Sequence, residues 1–344
     1  MNNPSQRDLA QPQTSLGGPG PWSFVLVALL SAALCLVLWG LRDRLAFLQR
    51  LDGLSLDFQT QWRGPLAPAS RDPILLVEMD EASVQALGRV VPGRTELAAV
   101  IGRLQAGGAR LAAVDLMLVD RARDDAGGDE HLAAAMRAWP HVYLPFALPH
   151  ETLPAQALPA SSSPVGAAVL AQAFLRYEGA ADAPLLSAHR LLAPLPMLAD
   201  AAAGLGHVST HRGADGALRY DLPALNLGGE LYPSLAVRVA AASRHLDWRQ
   251  TLVQLGQRVQ MGPQGDAGLT VPIDQLSRQW VNYYGPRGSF EHVSFIDLLH
   301  GRVAQETLNG RIVLLGVTAL GGGRQLSDPD GCGSSRCGAP GHGA

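Results

Sequence analysis

The sequence contains no lysine, because all 27 of its basic residues are arginine. These arginines form no block, and the formal net charge at pH 7 is -3, which gives no support for a nucleic-acid surface or a polybasic membrane patch. A phosphate-binding P-loop is excluded, since that motif requires a lysine. The arginine bias and the abundance of alanine indicate a GC-rich coding sequence rather than a function.

Cysteine is nearly absent as well. The three cysteines are Cys35, Cys332 and Cys337, so residues 36–331 contain none. This distribution excludes a disulfide framework and a cysteine metal site in that part of the chain. Charged residues make up 17% of the 344 residues and hydrophobic residues 47%, which suffices for one large or two ordinary domains with a buried core.

The N-terminal region predicts a tail followed by a membrane helix. Residues 1–21 are polar and rich in glycine, proline and glutamine, which predicts a disordered cytoplasmic tail. Residues 22–41 include an uncharged stretch from Phe24 to Leu41, which as a helix spans roughly 27 Å, about one bilayer core. We predict a transmembrane helix there. A cleaved signal peptide and a buried core helix are the alternatives, although no signal-peptidase site follows the stretch.

The charges around the predicted membrane helix bear on its orientation. Arg42, Arg44 and Arg50 follow the helix, whereas only Arg7 precedes it. Taken alone, the positive-inside rule would place the following domain in the cytoplasm. A further helix is predicted from Leu45 to Phe58, because its leucines lie on or near one face.

The central stretch of the chain, Pro73 to Asp120, has the pattern of a βαβ unit. Ile74–Met79 and Leu111–Val119 are apolar runs without alternation, which indicates strands buried on both faces, as in a parallel sheet. Between them, Glu96–Gln105 has apolar residues at helical spacing. The alternation of strand and helix continues with a third strand at His141–Leu148.

The second half of the chain predicts a hairpin and a last buried strand. From Gly206 the pattern gives a strand, an Asp215-Gly216 turn, a second strand and a helix from Pro233. Glu151–Pro196 predicts only a surface excursion. The fold class is therefore α/β, a mostly parallel sheet of βαβ units with an added hairpin, preceded by one transmembrane helix. The remaining predicted elements are strands at Thr270–Ile273, Trp280–Tyr284 and Arg311–Val317 and a helix at Ser294–Leu299.

Polar residues gather at the predicted C-terminal ends of the strands. Open parallel sheets leave a crevice at that edge, where helix N-termini and loop amides converge. We therefore predict ligand contacts there, with two residues from a later strand as neighbours. The predicted ligand-binding residues are Asp80, Ser83, Arg94, Asp115, Asn282 and Tyr283.

Two interpretations of the aspartates are open. On neighbouring strands, Asp80 and Asp115 could hold a hard cation or act as general acid and base. The stronger interpretation is structural, because an aspartate at a strand end commonly caps the following helix or pairs with an arginine, here Arg94. Ser83 lacks the G-x-S-x-G context of a nucleophile. The histidines form no zinc motif, so the sequence predicts no catalytic residue, no metal and no cofactor.

Several segments, taken in order, resemble the second type of CHASE domain, an extracytoplasmic sensory module of bacterial adenylate/guanylate cyclases, histidine kinases and serine/threonine kinases. The resemblance covers most of the chain. One departure concerns the Trp-Pro-Trp-like residues that the family has before the arginine matched by Arg94, where this chain has Val90-Val91-Pro92-Gly93. The segments include DFQTQWRG (57–64), ILLVEMDEASVQALG (74–88), GHVSTHRGADGALRYDLP (206–223), YPSLAVRVA (232–240), VNYYGPRGSFEHVSFIDLLHG (281–301) and LNGRIVLLGVTALG (308–321).

The resemblance implies a sensory domain at residues 42–320, on the periplasmic side of a bacterial inner membrane, that is not an enzyme. It also implies an unidentified periplasmic ligand or signal, no nucleic-acid partner, and a homodimer of the full-length parent. We prefer this periplasmic location to the cytoplasmic one that the three arginines indicate, because the whole chain supports the resemblance. The alternative is a membrane-anchored periplasmic α/β enzyme that uses Asp80, Asp115 and Arg94, because doubly wound sheets host both functions.

Residues 321–344 depart from the family pattern, since they have no periodicity and no apolar run. Family members continue with further transmembrane helices and a cytoplasmic catalytic domain. We therefore expect a truncated, frame-shifted product that lacks its output domain. A flexible tail on a stand-alone sensor is the alternative. The nucleotide sequence after Leu320 decides between the two.

Overall fold

The computed structural model describes residues 21–41, 46–66, 74–149, 167–174, 176–179, 186–188, 190–213, 215–263 and 268–319. The predicted tails, apart from Pro21, and most of the predicted surface excursion lie outside the described residues. The chain divides between Ser55 and Leu56 into two compact units. Most of the predicted elements fall in the second unit.

The helices follow the predicted pattern with shifted ends. The helix predicted at residues 45–58 continues to Arg63, and the helix predicted at 96–105 begins at Arg94. In the latter, the carboxylate of Glu96 accepts a hydrogen bond of 2.6 Å from the backbone N–H of Gly93, which satisfies one of the free donors at the helix start. In chain order the helices are α1 (Pro21–Leu41), α2 (Ala46–Arg63), α3 (Glu81–Leu87), α4 (Arg94–Ala106), α5 (Gly128–Ala138), α6 (Ala167–Leu170), α7 (Pro196–Ala201), α8 (Leu235–Ser243), α9 (Phe295–Leu299) and α10 (Gln305–Leu308).

Helix α1 coincides with the apolar stretch near the N-terminus, and every residue from Phe24 to Leu38 is exposed. In the described part of the chain, no helix is long and apolar enough to cross a membrane. The transmembrane role predicted for residues 22–41 is therefore unsupported by the structure.

Within the described residues, the strands form one large sheet and three small ones. The apolar run at residues 111–119 contributes a strand of only four residues, because the chain leaves the sheet after Val114. In chain order the strands are β1 (Ile74–Met79), β2 (Leu111–Val114), β3 (Val142–Phe146), β4 (Arg176–Glu178), β5 (Ser187–Ala188), β6 (Gly204–His207), β7 (Thr210–Arg212), β8 (Leu218–Asp221), β9 (Ala224–Leu227), β10 (Glu230–Pro233), β11 (Leu252–Gln254), β12 (Arg258–Met261), β13 (Leu269–Pro272), β14 (Gln279–Trp280), β15 (Glu291–Ser294) and β16 (Ile312–Val317).

The large sheet has six strands in the order β15-β1-β16-β2-β3-β6, and all neighbours are parallel. This confirms the parallel sheet that the unbroken apolar runs predict. The strand order is different from the expected one, because β16 pairs with both β1 and β2 and so separates them. The ends of β1 and β2 therefore lie about two strand spacings apart, roughly 10 Å.

Helices cover both faces of this sheet, as burial of alternate side chains requires. Ala112 and Val114 belong to the main hydrophobic cluster, which also contains the buried side chains of α4 and α5. Leu111 and Ala113 point to the other face, into a cluster with residues of α8. Close packing there depends on Gly206 in β6, since a Cβ at that position would lie 2.5 Å from the backbone nitrogen of Leu235.

The smaller sheets carry the predicted hairpin. Strands β7 and β8 are antiparallel and join through a turn in which Gly216 has a φ of 80°, which confirms the hairpin. Strand β14 adds to β8; it is shorter than the strand predicted at 280–284. Strand β13 confirms the strand predicted at Thr270–Ile273. The hairpin of β9 and β10 and the antiparallel strands β11 and β12 were not predicted from the sequence.

Candidate functional site

Three polar side chains meet where β1 and β15 end, and we call them the Asp80–Ser83–Ser294 cluster. Asp80 is the N-cap of α3, and its Oδ1 accepts hydrogen bonds from the Ser83 backbone N–H at 2.9 Å and the Ser83 hydroxyl at 2.6 Å. The hydroxyl of Ser294, the N-cap of α9, donates to the same oxygen at 2.9 Å. Ser83 Oγ in turn accepts from the backbone N–H of Ile296 at 3.1 Å.

This cluster joins two strands to two helices. Burial raises the pKa of Asp80, but the hydrogen bonds from Ser83 and Ser294 outweigh this effect, so the pKa lies below its ordinary value. A carboxylate that accepts several hydrogen bonds is held in its charged form. The geometry thus gives Asp80 and Ser83 a capping and joining role.

Arg94, the residue expected to pair with the strand-end aspartates, has a different partner. Its Nε lies 3.0 Å from Oδ1 of Asp129, and its Nη2 donates to the backbone carbonyl of Asp120 at 3.0 Å. Arg94 is 9% exposed and Asp129 is 4% exposed. This buried ion pair joins the start of α4 to the start of α5 and holds the loop that follows β2.

Asp115 lies just after β2 and is exposed. Its backbone N–H donates to the carbonyl of Leu315 in β16 at 2.7 Å. Since β16 lies between β1 and β2, Asp115 and Asp80 do not sit on neighbouring strands. The structure therefore does not bring Asp80, Arg94 and Asp115 together as one group.

The last two predicted residues, Asn282 and Tyr283, line a separate cleft in the second unit. The cleft has a volume of about 330 Å³ and lies between residues 56–63 of α2 and the segment that follows β14. The hydroxyl of Tyr283 donates to the backbone carbonyl of Leu218 in β8. The cleft is lined by Leu56, Asp57, Gln59, Thr60, Arg63, Arg219, Trp280, Val281, Asn282 and Tyr283.

Two of the lining residues, Asp57 and Arg219, form a charged triplet with Asp215, which lies outside the lining. The Nε and Nη2 atoms of Arg219 donate to the two carboxylate oxygens of Asp57 at 3.0 and 2.7 Å, and its Nη1 donates to Asp215 at 2.8 Å. The hydrogen bond with Arg219 lowers the pKa of Asp215 to about 2. The hydrogen bonds with Asp57 and Asp215 raise the pKa of Arg219 above its ordinary value.

Arg63 stands at another point of the cleft wall. Its Nη1 donates to Oδ1 of Asn282 and its Nη2 to the backbone carbonyl of Tyr283, both at 2.6 Å. These acceptors are neutral, and among the described residues Arg63 has no carboxylate within ion-pair distance. The guanidinium is exposed to solvent and carries a positive charge into the cleft.

Aromatic side chains give the cleft an apolar side. The ring of Trp280 is 44% exposed and lies 4.2 Å from the ring of Tyr220. The guanidinium of Arg278 lies 4.2 Å from the centre of the Tyr220 ring on which it stacks, an arrangement that stabilises the ring's position.

Sequence reasoning named Asn282 and Tyr283 but missed the other charged and aromatic residues of the cleft. Asp57 and Arg63 lie in the segment DFQTQWRG, and Arg219 lies in the segment around the hairpin, so both carried the resemblance. Neither segment has a motif whose spacing indicates a site. The available signal was that these residues stand in segments that resemble the family.

Comparison with known proteins gives one result. A protein-family model described as CHASE2 domain matches residues 28–341. The matched region begins within α1, includes every residue of the cleft, and extends past Leu320. No curated protein and no solved structure gives a significant match.

Proposed function

This chain belongs to the CHASE2 domain family, and we propose that it is the sensory input domain of a membrane-anchored bacterial signal-transduction protein. CHASE2 domains are extracytoplasmic sensory domains of signalling proteins and are not catalytic. A sensory domain binds an extracellular ligand or responds to an extracellular signal. The proposal adds that the output is of the adenylate/guanylate cyclase or kinase type and that the anchor lies in the inner membrane.

The observation that carries the proposal is the family match over most of the chain, together with the cleft beside α2. The cleft is concave and mixes apolar and charged side chains, as small-molecule sites do. One wall consists of α2 residues between Leu56 and Arg63 that face away from Phe58 and Trp62, and the other consists of Arg219 and the segment 280–283. A ligand there would contact both walls, and its binding free energy would change how tightly residues 56–63 are held.

The proposed anchor is the apolar surface of α1. The fifteen residues from Phe24 to Leu38 are all exposed and extend roughly 22 Å as a helix. An apolar surface of this size is unfavourable in water, because its burial would gain roughly 25 cal/mol for each Å² removed. A lipid bilayer would cover it. The periplasmic side is proposed for the second unit because the family is extracytoplasmic, and a reporter enzyme fused at about Pro68 would test this placement.

The proposed homodimer has a candidate surface on α2. Phe58 and Trp62 are 61% and 81% exposed, and their ring centres lie 5.7 Å apart. They lie on the side of α2 opposite Leu56, Thr60 and the cleft, because the residues are separated by half a helical turn. A second copy of the chain is proposed as the partner of this surface.

The alternative enzyme function has less support. It required Asp80, Asp115 and Arg94 to act as one group, whereas Asp80 caps α3 and Arg94 pairs with Asp129. No described group of three or more histidine, cysteine, aspartate or glutamate side chains could hold a metal ion.

The proposed function is tested with the purified full-length chain and a small-molecule extract of bacterial periplasm. A sensory domain retains a compound saturably and releases it unchanged, which mass spectrometry of the bound and released fractions detects. Conversion of any retained compound, or turnover of a panel of hydrolase substrates, would instead indicate an enzyme and contradict the proposal.

A further inference from the structure

We propose that the cleft binds a small zwitterion of the amino-acid class, with its carboxylate at Arg63, its ammonium at Asp57 and its side chain against Trp280. This inference rests on the proposed sensory function and goes further by naming the class of ligand. It depends on three features of the cleft: a cation at one place, an excess of negative charge at another, and a limited volume with an apolar side.

The cationic feature is Arg63. Its two described hydrogen bonds go to neutral oxygens, those of Asn282 and of the Tyr283 carbonyl. A guanidinium has five N–H donors in a planar fork, so donors remain for a ligand. The described residues offer this guanidinium neutral acceptors and no carboxylate. A ligand carboxylate would therefore give Arg63 an anionic partner. Charge-assisted bonds of this kind are roughly twice as strong as neutral ones.

The anionic feature is the triplet of Asp57, Arg219 and Asp215. Two carboxylates share one guanidinium, so the triplet carries one net negative charge. The side chains of Asp57 and Asp215 are 24% and 30% exposed, against 11% for Arg219. The carboxylates thus reach solvent more than the guanidinium does. Each carboxylate oxygen can accept two hydrogen bonds, so Asp57 can bind an ammonium without leaving Arg219.

The size and the apolar lining of the cleft narrow the ligand further. A volume of about 330 Å³ lies near the lower limit of ligand pockets, which range from about 300 to 1,000 Å³. Leu56, Val281 and the exposed face of Trp280 supply apolar contacts. A single amino acid fits these limits, since its two charges match the charges of the cleft and its side chain matches the apolar lining.

Three compounds that share one aromatic side chain test the two charges of the ligand separately. L-Phenylalanine has both charges, 3-phenylpropionate has only the carboxylate, and phenethylamine has only the ammonium. L-Leucine, 4-methylvalerate and isoamylamine form a second series with a smaller side chain. Isothermal titration of the purified full-length chain in detergent would measure all six, after a thermal-shift screen of the twenty standard amino acids.

The expected result is saturable binding of at least one amino acid, with binding about tenfold or more weaker when either charge is removed. That ratio corresponds to the loss of one charge-assisted hydrogen bond. The proposal is overturned if no amino acid binds, or if the carboxylate alone or the amine alone binds as tightly as the zwitterion. A neutral sugar or a dicarboxylate from the extract that occupies the cleft would overturn it too, and would leave the sensory function intact.

Variants locate the binding site on the cleft. Arg63→Gln should weaken amino-acid binding about tenfold or more and leave the melting temperature nearly unchanged, because Arg63 is exposed. Arg302→Gln is the matched control, since its side chain is 55% exposed and pairs with Asp297 on the surface. Equal binding by Arg63→Gln and the wild type would overturn the proposal. Asp57→Asn tests the ammonium contact, and if it fails to fold, the comparison with 3-phenylpropionate answers the same question.

Discussion

Arg219 Nη2 lies 2.7 Å from Asp57 Oδ2, although 162 residues separate them in the sequence. The contact joins strand β8 of the hairpin to residues 56–63 of α2, and Arg63 adds a second connection through Asn282 and Tyr283. Both connections are polar and partly exposed to solvent. Such contacts are weaker than a packed apolar interface, which suits a segment whose position responds to a ligand.

The first prediction concerns this contact. Asp57→Ala should lower the free energy of unfolding by about 1–3 kcal/mol, because it removes two charge-assisted hydrogen bonds that are mostly shielded from solvent. Urea unfolding followed by circular dichroism would measure the change. Asp297→Ala, which removes an exposed ion pair with Arg302, should cost at most about 1 kcal/mol. Equal losses of unfolding free energy in the two variants would show that the Asp57–Arg219 contact stabilises the protein no more than an exposed ion pair does.

The second prediction concerns the buried pair of Arg94 and Asp129. Arg94→Leu should destabilise the protein by about 3–5 kcal/mol, because Asp129 is left buried without its partner. The double variant Arg94→Leu/Asp129→Leu should recover part of that loss, as the unpaired charge is gone. Denaturant unfolding of the single and double variants measures both values. A double variant less stable than Arg94→Leu would contradict the explanation.

The third prediction distinguishes a capping role of Asp80 from a ligand contact. Asp80→Ala removes the acceptor shared by Ser83 and Ser294, so we expect a loss of about 1–2 kcal/mol in unfolding free energy. Asp80→Asn should lose less, since its amide oxygen still accepts hydrogen bonds. Glu81→Ala, at the exposed neighbouring position, serves as the control. An Asp80→Ala variant of unchanged stability that no longer binds the ligand of the wild type would favour the ligand contact instead.

The fourth prediction is a pH dependence at Asp215. Its folded-state pKa is about 2, below the value of about 3.9 for an unfolded chain. A depressed pKa of an acid stabilises the folded state above the unfolded pKa, and this contribution is lost as the pH falls toward the folded pKa. The stability difference between the wild type and Asp215→Asn should therefore be full above about pH 4 and shrink toward pH 2. A difference that grows on acidification would refute this sign.

The fifth prediction tests the surface proposed for the second copy. Phe58→Glu and Trp62→Glu should shift the full-length chain from dimer to monomer in sedimentation experiments, because a charge replaces an apolar contact at each position. Folding should be unaffected, since both side chains are exposed. Gln61→Glu adds the same charge to a neighbouring position of α2 and should leave the dimer intact. A wild type that is monomeric at all concentrations would remove the basis for the proposed dimer.

Local pattern in the sequence was enough to predict the type of most of the strands and helices of the large sheet. The unbroken apolar runs at Ile74–Met79 and Arg311–Val317 predict buried parallel strands, and the structure confirms both. The hairpin turn at Asp215 and Gly216 follows from the turn chemistry of those two residues, and it is confirmed as well. The resemblance to the CHASE2 family, which rests on the order of several segments, is confirmed by the family match.

Tertiary structure decided which of these elements are neighbours, and with it the candidate site. Hydrophobic periodicity carries no information on strand order, so nothing in the sequence placed β16 between β1 and β2 or separated Asp80 from Asp115. Arg94 could have paired with any nearby carboxylate, and only the packing of α4 against α5 selects Asp129. Asp57 meets Arg219 because the chain folds back over a large sequence separation. The type of each secondary-structure element therefore followed from its local sequence, whereas the partners of its side chains followed from the fold.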